Sequence, residues 1–167
     1  MLCCAVLLLC QTVAFAKGRG MSNLPPEEMC IGGIARGCPM GYVKTILGEP
    51  QEIISEDDKY DKLAHNIIYK YPNGLIVWGV LGRRRETRSE DEAPVWGVTL
   101  KNSDYTTPSG FTVGMPYKVV DELYGGVSPH PNKDGQQVYA YINIMDSMRF
   151  YVNNEGIITM ISFDHQQ

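Results

Sequence analysis

Gly37-Cys38-Pro39-Met40-Gly41-Tyr42-Val43-Lys44-Thr45-Ile46-Leu47-Gly48 aligns without a gap on Gly114-Met115-Pro116-Tyr117-Lys118-Val119-Val120-Asp121-Glu122-Leu123-Tyr124-Gly125, at a constant offset of 77 positions. The opening glycine, the proline, an apolar pair and the closing glycine recur in register. A spacing this long marks one supersecondary unit used twice. Each block reads as a short helix. Pro39 and Pro116 stand where a first turn tolerates proline, and Gly48 and Gly125 stand where a helix stops. Val43, Ile46 and Leu47, and in the second block Val119, Val120, Leu123 and Tyr124, fall on one face at helical spacing. A helix of about nine residues is not stable alone, so each must lie on an apolar surface.

That surface follows each block as a run of strands. The first run is expected near 65–71, 75–81 and 95–101, the second near 137–142, 147–152 and 157–163. Pro72-Asn73-Gly74 and Asn153-Asn154-Glu155-Gly156 carry hairpin chemistry between them. In the second run Val138, Ala140 and Ile142 alternate with Tyr139 and Tyr141, and Met148, Phe150 and Val152 alternate with Arg149 and Tyr151. The expectation is that Tyr139, Tyr141 and Tyr151 face away from the helix. The first run is apolar on both faces, with Ile67, Tyr69 and Tyr71 against Ile68, and Trp78 among Ile76 and Val80. A sheet apolar on both faces must be covered twice. Residues 82–94 interrupt the internal symmetry with arginines followed by acids. They read either as a solvated, mobile hairpin loop or as a charged docking arm with a basic arc at Arg83, Arg84, Arg85 and Arg88.

The chain has 167 residues, 44% apolar and 20% charged, which predicts a folded core rather than disorder. A net charge of −4 argues against a nucleic-acid partner, which would need a basic excess. Ala5-Val6-Leu7-Leu8-Leu9-Cys10 followed by Ala14-Phe15-Ala16 reads as an export signal over residues 1–16. Two alternatives stand beside cleavage: a lipoprotein lipidated at Cys10, which alone would give a membrane attachment, and a start at Met21 without export. Cleavage removes Cys3, Cys4 and Cys10 and leaves Cys30 and Cys38. An even pair in an exported chain favours a disulfide between them.

Motifs that carry chemistry are missing from the sequence. There is no nucleophile elbow, phosphate loop, dinucleotide fingerprint or zinc-protease helix. His65, His130 and His165 are far apart, and Asp164-His165 reads as a frayed end. Asp57, Asp58 and Asp61 lack calcium-loop spacing and read as a loop. Cys38 at a helix start and His130 in a rigid turn are the only conceivable catalytic centres, and neither has a partner nearby in sequence. The strand aromatics Trp78, Trp96, Tyr139, Tyr141 and Tyr151 are either core or, with Arg149, an interface of aromatic and arginine anchors.

The segments Gly37 through Pro50, Thr107 through Gly125 and Phe150 through Ile161 resemble the SmpA/OmlA family, the BamE-like lipoproteins of outer-membrane assembly. The tandem arrangement is similar to that of the β-lactamase inhibitor proteins. The resemblance implies an α+β fold of two tandem units, each a short helix packed on a three-stranded antiparallel β-meander, with sheets able to join into one concave face. The expected organisation is a signal peptide at 1–16, an N-terminal segment at 17–30, a first BamE-like unit at 31–106 with the 82–94 insertion, and a second at 107–167. The expected function is a non-enzymatic, extracytoplasmic protein-binding module of the cell envelope, without cofactor or metal. Its expected binding residues are Trp78, Trp96, Tyr139, Tyr141, Arg149 and Tyr151. A structural or assembly component without a discrete ligand is the alternative, with β-lactamase inhibition a further one.

Overall fold

The computed structural model describes residues 24–61, 63–82, 88–143 and 146–165. The expected signal segment 1–16, Cys10, the alternative start at Met21, and Arg83, Arg84 and Arg85 lie outside the described residues.

The described chain opens with a short turn of helix at Pro26–Glu28 and a small hairpin, β1 (Cys30–Ile31) and β2 (Ile34–Ala35). Helix α1 (Met40–Leu47) follows, then β3 (Glu52–Asp57), β4 (His65–Lys70), β5 (Leu75–Leu81), a single helical turn at Glu90–Glu92, and β6 (Val95–Leu100). The second half holds α2 (Lys118–Tyr124), β7 (His130–Pro131), β8 (Gln137–Asn143), β9 (Asp146–Val152) and β10 (Ile158–His165). Strands β3 to β10 form one antiparallel sheet of eight strands in the order β3-β4-β5-β6-β10-β9-β8-β7.

The expected fold of two helix-on-meander units is therefore corrected. The two runs of strands fuse where β10 pairs with β6, from Ile161 opposite Leu100 to Asp164 opposite Gly97. Backbone groups at the inner edge of either run would be unpaired if the runs were separate units, and this ladder satisfies them. Each run also has a fourth strand. β3 escaped the sequence reading because Glu-Ile-Ile-Ser-Glu-Asp is acidic and mostly exposed, as an edge strand can be. One hydrophobic cluster runs through both halves, joining Met40 and Val43 of α1 to Tyr69, Val77 and Val98, and on to Val120, Phe150 and Phe163.

The helices sit where the repeated block places them, and Gly48 and Gly125 end them with φ of 79° and 59°. Their buried faces are narrower than the spacing implies. Val43 and Val120 are fully buried, whereas Ile46 is 46% and Leu123 60% exposed. With two turns each, a helix presents little more than one residue per turn to the sheet. Gly79 makes room for α1: a Cβ there would lie 2.7 Å from the Pro94 carbonyl oxygen and 3.0 Å from Met40 Cγ.

Residues 88–94 are neither a free loop nor an arm. Lys44 Nζ of α1 reaches Asp91 at 2.7 Å, and the Met40 amide donates to the Ala93 carbonyl at 2.9 Å. The bond to Lys44 lowers the Asp91 pKa, and the bond to Asp91 raises that of Lys44. The segment thus covers the start of α1 instead of extending into solvent.

Candidate functional site

Alternation along each strand divides the sheet into two faces. Tyr69, Val77, Val98, Ile161 and Phe150 point to the side where the helices lie, and all five are buried. Tyr139 pairs with Phe150 and Tyr141 with Met148, so both tyrosines share that side. Tyr141 is fully buried and its hydroxyl meets that of Tyr117 at 2.9 Å. Tyr139 stacks on the Tyr117 ring with centroids 3.7 Å apart. Tyr117 stands at the start of α2, so both tyrosines pack under that helix. The expectation that they face away from it has the sign of the alternation reversed. Val138, Ala140 and Ile142 are the residues on the opposite side, and Ile142 is 51% exposed.

The side opposite the helices carries a different set. One row runs Ile68, Trp78, Gly97, Asp164, Ser147, Ile142 across six neighbouring strands. A parallel row runs Ile76, Thr99, Ser162, Arg149, Ala140. Tyr151 lies one step further along, between Val138 and Met160. Trp78, Arg149 and Tyr151 are each half-buried. Gly97 has no side chain, and the Trp78 indole nitrogen occupies the space a Cβ would take there. Arg149 forms an ion pair with Asp164, which also accepts a 2.7 Å hydrogen bond from Ser147 Oγ. The guanidinium is thereby fixed in place with its charge balanced. Trp96 stands at a register shift between β5 and β6, with its ring 6.1 Å from Trp78 and 4.9 Å from His165.

Of the six expected interface residues, the fold thus brings Trp78, Arg149 and Tyr151 onto one face. It places Trp96 beside Trp78 and puts Tyr139 and Tyr141 behind the sheet. Cys30 and Cys38 are both free, half-buried thiols. Burial pushes the Cys30 thiol up from its ordinary pKa. His130 lies exposed on β7. Asp164-His165 is no frayed end: it closes β10, and His165 Nδ1 lies 3.1 Å from Asp146, which Arg36 also grips through both carboxylate oxygens. Among the described residues no three His, Cys, Asp or Glu side chains are grouped as a metal ion would need.

One cluster went unnoticed in the sequence. His65 lies between Ser55 and Asp57, at 2.8 Å from each, and Ser55 in turn contacts Glu90 at 2.5 Å. The three residues Ser55, Asp57 and His65 come together only through the β3–β4 register, in which Asp57 pairs with His65. No spacing within the sequence signals that.

No family model matches the chain, and no curated protein matches it. Solved structures of similar fold include three bacterial proteins. One is a DUF4309 family protein, YjgB, of Bacillus subtilis, at TM-score 0.45 and 11% identity, covering 77% of this chain and 78% of that one. Another is a cysteine-rich secretory protein of Staphylococcus aureus, at TM-score 0.46 and 12% identity, covering 84% and 46%. The third is an extracellular protein containing an SCP domain from Bacillus anthracis, at TM-score 0.50 and 13% identity, covering 90% and 50%. These are likenesses of fold. The chain spans about half the length of the latter two. The expected resemblance to the SmpA/OmlA family and to the β-lactamase inhibitor proteins is corrected: no family model matches, and the fold likenesses found are to a DUF4309 protein and to SCP-type secreted proteins.

Proposed function

We propose that the chain is an extracytoplasmic binding module that engages a protein partner through the sheet face opposite its helices. The observation that carries this reading is the convergence of Trp78, Arg149 and Tyr151 on that face. Large aromatics and arginine dominate the energetics of protein interfaces, and a guanidinium already fixed by a carboxylate loses less freedom on binding. The residues span four neighbouring strands of the sheet, from β5 through β6 and β10 to β9, a spread that suits a protein better than a small molecule. Export is part of the proposal. It rests on the apolar stretch before Ala14-Phe15-Ala16 and accords with the extracellular description of the Bacillus anthracis neighbour.

The test is affinity capture with substituted protein. Trp78→Ala and Tyr151→Ala are each expected to weaken binding of the captured partner by about 1 kcal/mol or more, the hot-spot scale. Lys118→Ala, an exposed change on α2, should leave binding unchanged. Equal binding by all three variants would refute the assignment of this face.

A further inference from the structure

We propose a second site behind the sheet, in which Ser55 and His65, with Asp57 as orienter, cleave small activated carboxylic esters. It is independent of the binding face, since these side chains share the helix side of the sheet with Ile67 and Tyr69. It also departs from the sequence expectation of no enzyme.

Two residues apart on β3, Ser55 and Asp57 project from the same side, and Asp57 faces His65 across the ladder. Ser55 Oγ lies 2.8 Å from His65 Nε2, and His65 Nδ1 lies 2.8 Å from Asp57 Oδ1. That order of contacts is the one a serine nucleophile needs, with the hydroxyl on one ring nitrogen and a carboxylate holding the other. The Asp57 carboxylate only accepts, so the Nδ1 position carries a proton. In a neutral ring Nε2 then keeps the lone pair that can take the Ser55 proton once that proton turns away from Glu90. Such sets are recognised by geometry and not by sequence order. Ser55 is exposed, and its two hydrogen-bond partners His65 and Glu90 line a cavity of about 270 Å³ together with Asp57, Leu81 and Arg88. Leu81 supplies an apolar wall for an acyl chain. Arg88, which lines the same cavity, supplies a cation for the charge that develops on a carbonyl oxygen.

Glu90 sets the resting state. Its Oε1 lies 2.5 Å from Ser55 Oγ. Ser55 has one proton, and a carboxylate at that distance takes it, so the hydroxyl cannot donate to His65 at the same time. A glutamine at this position would instead donate to Oγ and turn the serine proton towards Nε2. Glu90 therefore restrains the nucleophile.

In the reaction Ser55 Oγ bonds to the ester carbonyl carbon while its proton passes to His65 Nε2. The bond to the leaving alkoxide breaks, and the alkoxide takes that proton. Water then attacks the acyl carbon, gives a proton to Nε2, and Ser55 departs with it, leaving acid and alcohol.

The test uses the purified chain with an alkyl fluorophosphonate and with p-nitrophenyl acetate. With the first probe the Oγ–P bond forms and fluoride leaves. The expected result is one phosphonyl group on the peptide containing Ser55, formed several-fold faster in Glu90→Gln and absent in Ser55→Ala. His65→Gln should slow it roughly a hundredfold, the scale of a lost general base. Asp57→Asn should slow labelling while the melting temperature holds. Ester hydrolysis should follow the same order. The proposal is overturned if neither the unsubstituted chain nor Glu90→Gln labels at Ser55, or if folded His65→Gln labels at an unchanged rate. Circular dichroism establishes folding, and should His65→Gln unfold, the Glu90→Gln arm decides alone.

Discussion

Tyr141→Phe is the most informative single change in this core. The Tyr117 and Tyr141 hydroxyls meet at 2.9 Å, and Tyr141 is fully and Tyr117 almost fully buried. Deleting the Tyr141 oxygen leaves the Tyr117 hydroxyl buried without this partner. An unsatisfied buried hydroxyl costs about 1–3 kcal/mol. For a chain of this size each kcal/mol lowers the melting temperature by about 2–4 °C, so a loss of roughly 2–12 °C is expected. Replacing both tyrosines by phenylalanine removes donor and acceptor together, and that change is close to neutral. The double variant should therefore be more stable than the two single losses predict, by about 2 kcal/mol or more of coupling. Urea unfolding followed by tryptophan fluorescence measures all four proteins. A single-variant loss below about 0.5 kcal/mol, the level of ordinary surface changes, would refute the placement of Tyr141 in the core. Strict additivity would refute the hydroxyl pair.

Within α1, Met40→Ala should cost about 2–5 kcal/mol because the side chain is fully buried, while Ile46→Ala at 46% exposure should stay within about 0.5 kcal/mol; equilibrium unfolding compares them. Gly79→Ala should destabilise by about 1–3 kcal/mol, since its Cβ would collide with the Pro94 carbonyl and Met40; a neutral effect would place α1 elsewhere. Burial raises the pKa of Tyr117, Tyr141 and Tyr69 above the ordinary 10.0, and that of Tyr71 to about 12. The sign follows from linkage: the folded state keeps these phenols protonated after the unfolded chain has released its protons, so their contribution is complete below pH 10 and is lost as pH rises through the folded values. Phenolate absorbance during alkaline titration should show the buried group ionising only together with unfolding.

The repeated block gave the positions of both helices, because proline and glycine punctuate a chain through local sterics that no tertiary contact overrides. Alternation likewise located the strands, since it reflects the pleat alone. It could not say which set of side chains points to the core. Val138, Ala140 and Ile142 look more buried than tyrosines by polarity, and the structure reverses this by giving the Tyr141 hydroxyl a buried partner contributed by Tyr117, 24 residues away. β3 was illegible because an edge strand needs no apolar face, and its acids read as a loop. The Ser55–His65–Asp57 contacts depend on one register between β3 and β4, which local sequence does not encode. Joining of the two strand runs at β6 and β10 is a long-range pairing of the same kind.

Solvent footprinting of side chains, with and without the captured partner, tests the central claim most directly. Oxidative labelling read by mass spectrometry should show Trp78 and Tyr151 reactive in the free chain and protected in the complex, with Tyr42 on the helix side labelled equally in both. Protection of Tyr42 and Ile46 with no change at Trp78 and Tyr151 would contradict the account, because the partner would then be held on the side that carries the helices.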